Sequence, residues 1–443
     1  MLHYRVVGTI ISVLVGIQLM VTGCQSPKPA SPTPTIPKVP ATPTTTPSPA
    51  APTLQTQPTQ VTPQTQPTPP TVAPVPSPTP QPTQQIQITP VTPQTQPTTP
   101  ASSPAREEFQ VEVVLRNLDI PWSLAFAPDG RLFFTERPGR IMVFEQGKAP
   151  SLVATVEVAR QSEAGLLGLT LSPNFSQDHY LYVHYTYRDG TALKNRVVRF
   201  IEQGGKAINP VVLLENIPGS GIHDGGRLRF GPDGTLYITA GDSSNSELAQ
   251  DPRSLAGKIL RINPDGSIPA DNPFPGSPVY SFGHRNPQGL DWHPVTGQLY
   301  EVEHGPTAHD ELNLIIRGSN YGWPRVVGSG NNPQFINPLL ESGTGTWAPS
   351  GATFYRGSRL VGWQNSFFFA ALRGEALHRV TFKGQELKEI DVHQVLLGGT
   401  LGRLRDVAEG PDGFLYIATN NRDGRGRPTE EDDRILRIVA SGN

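Results

Sequence analysis

The chain has almost no cysteine: one residue in 443, Cys24. A disulfide framework and a cysteine-based metal site are thereby excluded. It also lacks an excess of charge of either sign, with 36 Lys+Arg against 38 Asp+Glu. That balance excludes a strongly basic nucleic-acid binder and a polybasic membrane-binding surface. Long apolar runs are missing except for Val6 to Met20, which is too short and too early for a stable transmembrane span. Long stretches of 3.6-residue periodicity are scarce as well, so a helical bundle is not expected. Ten histidines are present, but none stands at zinc-ligand spacing. The segment Gly219-Ser220-Gly221 fails the dinucleotide pattern because Asp224 occupies the place of the third glycine.

What is present falls into three parts. Residues 1–24 carry His3 and Arg5, the apolar run, and then Val21-Thr22-Gly23-Cys24, the layout of a secretory leader ending in small residues. The sole cysteine sits at the cleavage point, so the leader resembles a bacterial lipoprotein signal in which Cys24 is lipidated. An exported protein held to a bacterial membrane by lipid alone is expected. Residues 25–105 contain 25 of the 48 prolines and no charge beyond Lys28 and Lys38. The octapeptide beginning at Val61 returns at Val91. Such a segment cannot bury a core and reads as a semi-rigid stalk, extended at roughly 3 Å per residue. Residues 106–443 hold all 38 acids and 33 of the bases, a formal charge of −5.

In this third part a unit recurs: a short apolar strand, Pro-Asp-Gly or a relative of it, and a second strand rich in Leu, Tyr and Phe. Copies start their turns at Pro128, Pro173, Pro232, Pro294 and Pro411, and a degenerate one runs from Ala352–Tyr355 to Phe367–Ala370. Six units at this spacing, each the core of a four-stranded sheet, predict an all-β, six-bladed β-propeller. The aromatic residues of the repeats, and the five tryptophans, read as packing.

Function should then lie in loop residues that the repeat does not require. Four segments qualify: Gly221 to Arg227 with His223, Gly241-Asp242, Gly283 to Gly289 with Arg285, and Glu303 to Glu311. Each has a plain explanation alone; Arg285, for instance, could pair with Asp291. Together they place a base, carboxylates and a guanidinium at matching positions of successive blades. A neutral histidine can take a hydroxyl proton while an arginine stabilises the developing oxyanion.

From about Val111 to Val439 the sequence resembles the soluble pyrroloquinoline quinone (PQQ)-dependent aldose sugar dehydrogenases, the glucose/sorbosone dehydrogenase family. The resemblance rests on Ile120-Pro121-Trp122, Gly165-Leu166-Leu167-Gly168-Leu169, the His223 segment, Leu255 to Arg261, His284 to Gly289, Glu303 to Leu314, Asn320 to Pro324, Pro349-Ser350-Gly351 and Arg403-Leu404-Arg405. It implies a six-bladed propeller that oxidises the C1 hydroxyl of aldoses to lactones, passing electrons to an external cytochrome or quinone. By position, His223 resembles the general base and Asp242 its orienting carboxylate. Arg285 and Asn286 resemble the pair on the quinone oxygens, and Asp310 a further cofactor contact. Arg373, Arg403 and Arg405 match positions that hold the quinone carboxylates. The Gly305 and Pro306 carbonyls match ligands of a catalytic calcium, and Glu311 and Tyr321 those of a second, structural one. Glu163, at another cofactor position, stands where relatives often carry Gln, and so does His304. A non-catalytic carbohydrate-binding propeller and a calcium-dependent lactonase remain the competing classes. Neither the preferred sugar nor the oligomeric state is written in the residues.

Overall fold

The computed structural model describes residues 109–441. The leader, Cys24 and the stalk lie outside them. Among the described residues there are six four-stranded antiparallel sheets and almost no helix.

The first blade is Pro121–Phe126, Leu132–Glu136, Arg140–Phe144 and Ser151–Thr155, and each of the next four repeats this consecutive order. The sixth takes Leu404–Glu409, Leu415–Thr419 and Ile435–Ala440 from the end of the chain and its fourth strand, Phe109–Leu115, from the beginning. Pairing of Gln110 with Val439 and of Glu112 with Arg437 therefore joins the two ends of the propeller and closes the ring.

The repeated units of the sequence are the first two strands of each blade. Leu124 pairs with Phe134, Leu228 with Ile238, Leu290 with Glu301, Ala352 with Phe369 and Val407 with Ile417. The unit that looks degenerate builds a complete blade, Pro349–Phe354, Phe367–Ala371, Ala376–Lys383 and Glu389–Leu396. Between the two strands the Pro-Asp-Gly turn places its glycine in left-handed conformation, as at Gly234 with φ +74°. The Asp233 carboxylate accepts the Thr235 N–H at 3.0 Å.

Alternation along the strands gives each blade two apolar faces, and the buried residues fall into six clusters, one at each junction between blades. Phe133 and Ile141 of the first blade meet Leu166 and Leu181 of the second, and Leu124 and Phe134 meet Tyr416 and Ile435 of the sixth. Each fully buried side chain of this kind contributes about 1.5–3 kcal/mol. Trp292 and Trp363 belong to these clusters, as the sequence predicts.

First strands of adjoining blades pack together around a central channel. There the Arg227 guanidinium donates to Asp406 at 3.0 Å, to Ser123 at 3.1 Å and to the Gln288 carbonyl at 2.9 Å, linking four blades beneath Trp122. Both partners of the ion pair are only 3 % exposed. Breaking such a pair from one side leaves an uncompensated buried charge.

Candidate active site at one mouth of the channel

One mouth of the channel opens into a cavity of about 370 Å³, within the range of small-molecule sites. Its walls come mostly from loops that precede first strands or follow second strands, where the blade repeat imposes no residue type, with Gln288 and Arg405 reaching in from the starts of first strands.

His223 lies on the loop before Leu228–Phe230, with its backbone in the left-handed region at φ +61°. A histidine tolerates that conformation at some cost, and such strain concentrates at functional sites. The loop is pressed against the next strand end: a Cβ on Gly241 would lie 2.0 Å from the His223 carbonyl oxygen, so only glycine fits there. The ring is gripped from both sides. Nδ1 lies 2.8 Å from Asp242 Oδ1, and Nε2 lies 3.0 Å from Arg285 Nη2. An arginine can only donate, so Nε2 is the acceptor and the proton sits on Nδ1, given to Asp242. His223 is thereby held in the Nδ1–H tautomer, with its Nε2 lone pair on the cavity side and engaged by Arg285.

Asp242 is fixed in turn. Its Oδ1 accepts the Ser244 N–H at 2.9 Å and its Oδ2 the indole N–H of Trp323, also at 2.9 Å. Trp323, read from sequence as packing, is thus part of the site, and the Arg285 guanidinium stacks over its ring at 5.3 Å. Arg285 does not pair with Asp291, which belongs to Arg229 and Arg356 instead. It donates to the His304 carbonyl, its backbone N–H donates to Glu303, and its Nε has no partner. Asn286 is fully buried, with Oδ1 taken by the Gly225 N–H and Nδ2 unpartnered.

Arg403, Arg405 and Arg373 line the opposite wall. Arg403 is anchored on Asp423 by two contacts of 3.0 and 2.8 Å. Arg405 has only neutral partners, Gln288 and Ser350, and burial lowers it to about 9. Arg373 is exposed and has no carboxylate partner among the described residues. Counting Arg285 and Arg425, five guanidinium groups face two carboxylates, Glu163 and Asp310, across this cavity. Asp310 is occupied: it accepts the N–H groups of Gly305, Trp347 and Ala348 and the Thr346 hydroxyl, tying two loops of the rim together. Burial pushes His304 down to about 4, leaving it neutral, with Nε2 donating to the Pro349 carbonyl.

Gly305 and Pro306 border both this cavity and a small one of about 10 Å³, room for one ion or water, which Glu303, Glu311, Tyr321 and Trp323 also line. Among the described residues neither the Gly305 nor the Pro306 carbonyl accepts a hydrogen bond, and both are free oxygens suited to a hard cation. Glu311 sits in a buried group with Glu301 and Glu303 around Asn313. Burial and the Glu303 charge raise Glu311 to about 8, and Glu301 Oε1 has no partner. A cation would suit that cluster. The Tyr321 phenol is already engaged, donating to Leu314 and accepting from Ile316, so only its carbonyl is left for a metal.

A family model described as Glucose / Sorbosone dehydrogenase matches residues 118–436. The chain belongs to that family. It is 33 % identical to an aldose sugar dehydrogenase of Escherichia coli, the match covering 71 % of this chain and 91 % of the relative. It is 30 % identical to quinoprotein glucose dehydrogenase B of Acinetobacter calcoaceticus, covering 71 % and 86 %. The PQQ-bound aldose sugar dehydrogenase of Streptomyces coelicolor superposes with a TM-score of 0.68 at 38 % identity, over 75 % of this chain and 99 % of that one.

Within the family pattern, the residues brought together at one mouth are His223, Asp242, Arg285, Asp310, Arg373, Arg403, Arg405, Glu163, Gly305 and Pro306, with Asn286 buried just behind the wall. Glu311 and Tyr321 lie to one side, at the small cavity. Glu247 forms an exposed pair with Arg325 and does not reach the cavity wall. Sequence reasoning missed Arg425 and gave no individual site role to Trp323 or to Gln288, which lies in the Gly283 to Gly289 segment. Trp323 lies inside a family motif and was legible as such, whereas Arg425 stands in a charged run that reads as solvated loop.

Proposed function

We propose that the protein is a quinoprotein dehydrogenase that oxidises the C1 hydroxyl of aldose sugars to the lactone, with PQQ and calcium as its cofactors. The observation that carries this reading is the placement of His223: Nδ1 lies against the Asp242 carboxylate, and Nε2 lies on the side of a cavity rich in guanidinium groups. Such a surplus of positive charge suits a planar tricarboxylate, which arginine forks bind in bidentate fashion. Free carbonyls at Gly305 and Pro306 suit calcium beside it. The quinoprotein nature of the Acinetobacter relative and the PQQ in the Streptomyces structure support the same reading.

PQQ, when bound, supplies the two-electron acceptor for the hydride that leaves C1, and calcium polarises it. The protein residues do the rest. Arg373, Arg403 and Arg405 would hold the ligand carboxylates. Arg285 would hold its quinone oxygens, with the Asn286 amide buried behind it. His223 Nε2 takes the proton of the sugar C1 hydroxyl, with Arg285 yielding its hydrogen bond to the incoming sugar. The imidazolium so formed is stabilised by Asp242, which Trp323 and Ser244 keep aimed at Nδ1. Loss of one proton and one hydride converts the hemiacetal to a lactone, and the electrons pass on to an external cytochrome or quinone. Lipid at Cys24 and the proline-rich stalk would hold this head outside the cytoplasm, at a membrane surface.

The test is dye-coupled aldose oxidation by the full chain loaded with PQQ and calcium. Dye reduction that requires both cofactors is the expected result. Lactone hydrolysis with calcium alone, or sugar binding without electron transfer, would replace the reading.

A further inference from the structure

Arg425 is assigned no part in the chemistry above, yet it reaches the cavity. It lies on the loop after the second strand of the sixth blade, Leu415–Thr419, and lines the wall beside Arg403. Its Nη1 is 2.5 Å from Glu163 Oε1, and its Nη2 is 3.3 Å from the Ser162 hydroxyl. Glu163 precedes the first strand of the second blade, so the pair spans the first blade and joins residues 262 apart in sequence. The loop is built to present this side chain. Asp423 accepts the Arg425 backbone N–H on Oδ1 and the Arg403 guanidinium on Oδ2, so one carboxylate fixes both arginines. A Cβ on Gly426 would meet the Asn421 backbone at 2.5 Å, which keeps the turn tight.

Glu163 is the odd member of the cavity. Its Oε2 accepts the His223 backbone N–H at 3.2 Å. Burial opposes its charge, but the Arg425 guanidinium, with the His223 N–H, outweighs that and holds its carboxyl below the usual carboxylate range. A carboxylate in this place repels an anionic ligand. It also does for Arg425 what a ligand carboxylate would do: it accepts from the guanidinium fork inside the cavity. The Arg425 side chain itself is half exposed.

We propose that Arg425 is a further anion-binding residue of this cavity, with Glu163 as the internal carboxylate that holds it until a carboxylate of the ligand takes its place. The proposal rests on the quinoprotein reading, and it explains how a glutamate serves where relatives often carry an amide. Two effects of opposite sign follow. Arg425→Ala removes a binding group, whereas Glu163→Gln removes the competing charge, keeps a hydrogen-bonding side chain and frees the arginine. A pair that served structure alone would give effects of the same sign in both variants.

The test is calorimetric titration of the full chain with PQQ in the presence of calcium, in low and high salt, with Arg427→Ala as a control from the same loop outside the cavity wall. We expect Arg425→Ala to weaken binding on the order of tenfold and to flatten its salt dependence. Glu163→Gln should tighten binding by a few fold, and the double variant should bind like Arg425→Ala. Hydrogen exchange in residues 420–431 should slow when PQQ binds to the wild type. Wild-type protein that binds PQQ with Arg425→Ala unchanged, or with both single variants weakened alike, overturns this proposal alone. Wild-type protein that fails to bind PQQ overturns the quinoprotein reading and this proposal with it.

Discussion

The two mouths of the channel contrast in how their residues are used. At the far mouth the hairpin turns carry the repeated prolines, and the cavity there, about 530 Å³, is the larger of the two. Its charges are matched within the protein: Asp291 is shared by Arg229 and Arg356, and Glu409 accepts the Arg356 N–H. At the other mouth the residues owe nothing to the repeat, several buried polar atoms have no partner, and Arg405 and Arg285 lack carboxylates of their own. Size does not distinguish a site from a gap in the scaffold; unmet hydrogen-bonding and charge do.

That contrast is broken most severely by removing the base. His223→Ala should lower aldose oxidation at least 100-fold, and up to about 10⁴-fold, with far-ultraviolet circular dichroism unchanged, if the side chain is the base proposed above. Next comes the channel between the mouths. Asp406→Ala strands the buried Arg227 charge and should cost about 3–5 kcal/mol in denaturant unfolding. A retained midpoint would show that the Arg227–Asp406 pair carries no structural weight.

Asp224 sharpens the comparison at the loop beside the base. Burial raises its carboxyl to about 7, against an ordinary value near 3.8, while Oδ1 accepts from Ser220 and Asn195 and Oδ2 has no partner. The folded value lies above the unfolded one, so its stabilising contribution is complete below about pH 4 and is lost as pH rises through 7. Thermal unfolding across that range should show a fall of at most about 4 kcal/mol that Asp224→Asn removes, since the amide mimics the neutral acid. Smallest is the effect of Arg356→Ala at the far mouth. It should lower stability by about 1–2 kcal/mol, because Arg229 still covers Asp291, and leave aldose oxidation within about twofold of wild type. A large loss of activity there would mean that the wrong mouth has been assigned.

How much of this was legible in sequence follows from the same division. The first two strands of each blade stand out because both are buried and the turn between them has a fixed chemistry, as at Pro232-Asp233-Gly234. Outer strands do not: Lys206–Pro218 is mostly exposed, and Leu340–Glu341 has two residues, so neither carries a readable period. Resemblance to the family picked out His223, Asp242 and Arg285, and the fold brings them within hydrogen-bonding distance in one row. What sequence could not give was pairing across the ring. The Arg425–Glu163 contact depends on closure of six blades, and Trp323 looks like any buried indole until Asp242 is found 2.9 Å away.

The most direct test of the central claim is a single-turnover absorption measurement. The full chain is loaded with stoichiometric PQQ and calcium, mixed with an aldose without any electron acceptor, and followed in the spectrum of the quinone. The account predicts one equivalent of reduced quinone per site, formed fast in wild type and slowed at least 100-fold in His223→Ala. A quinone that binds tightly and stays oxidised with every aldose tried would contradict it.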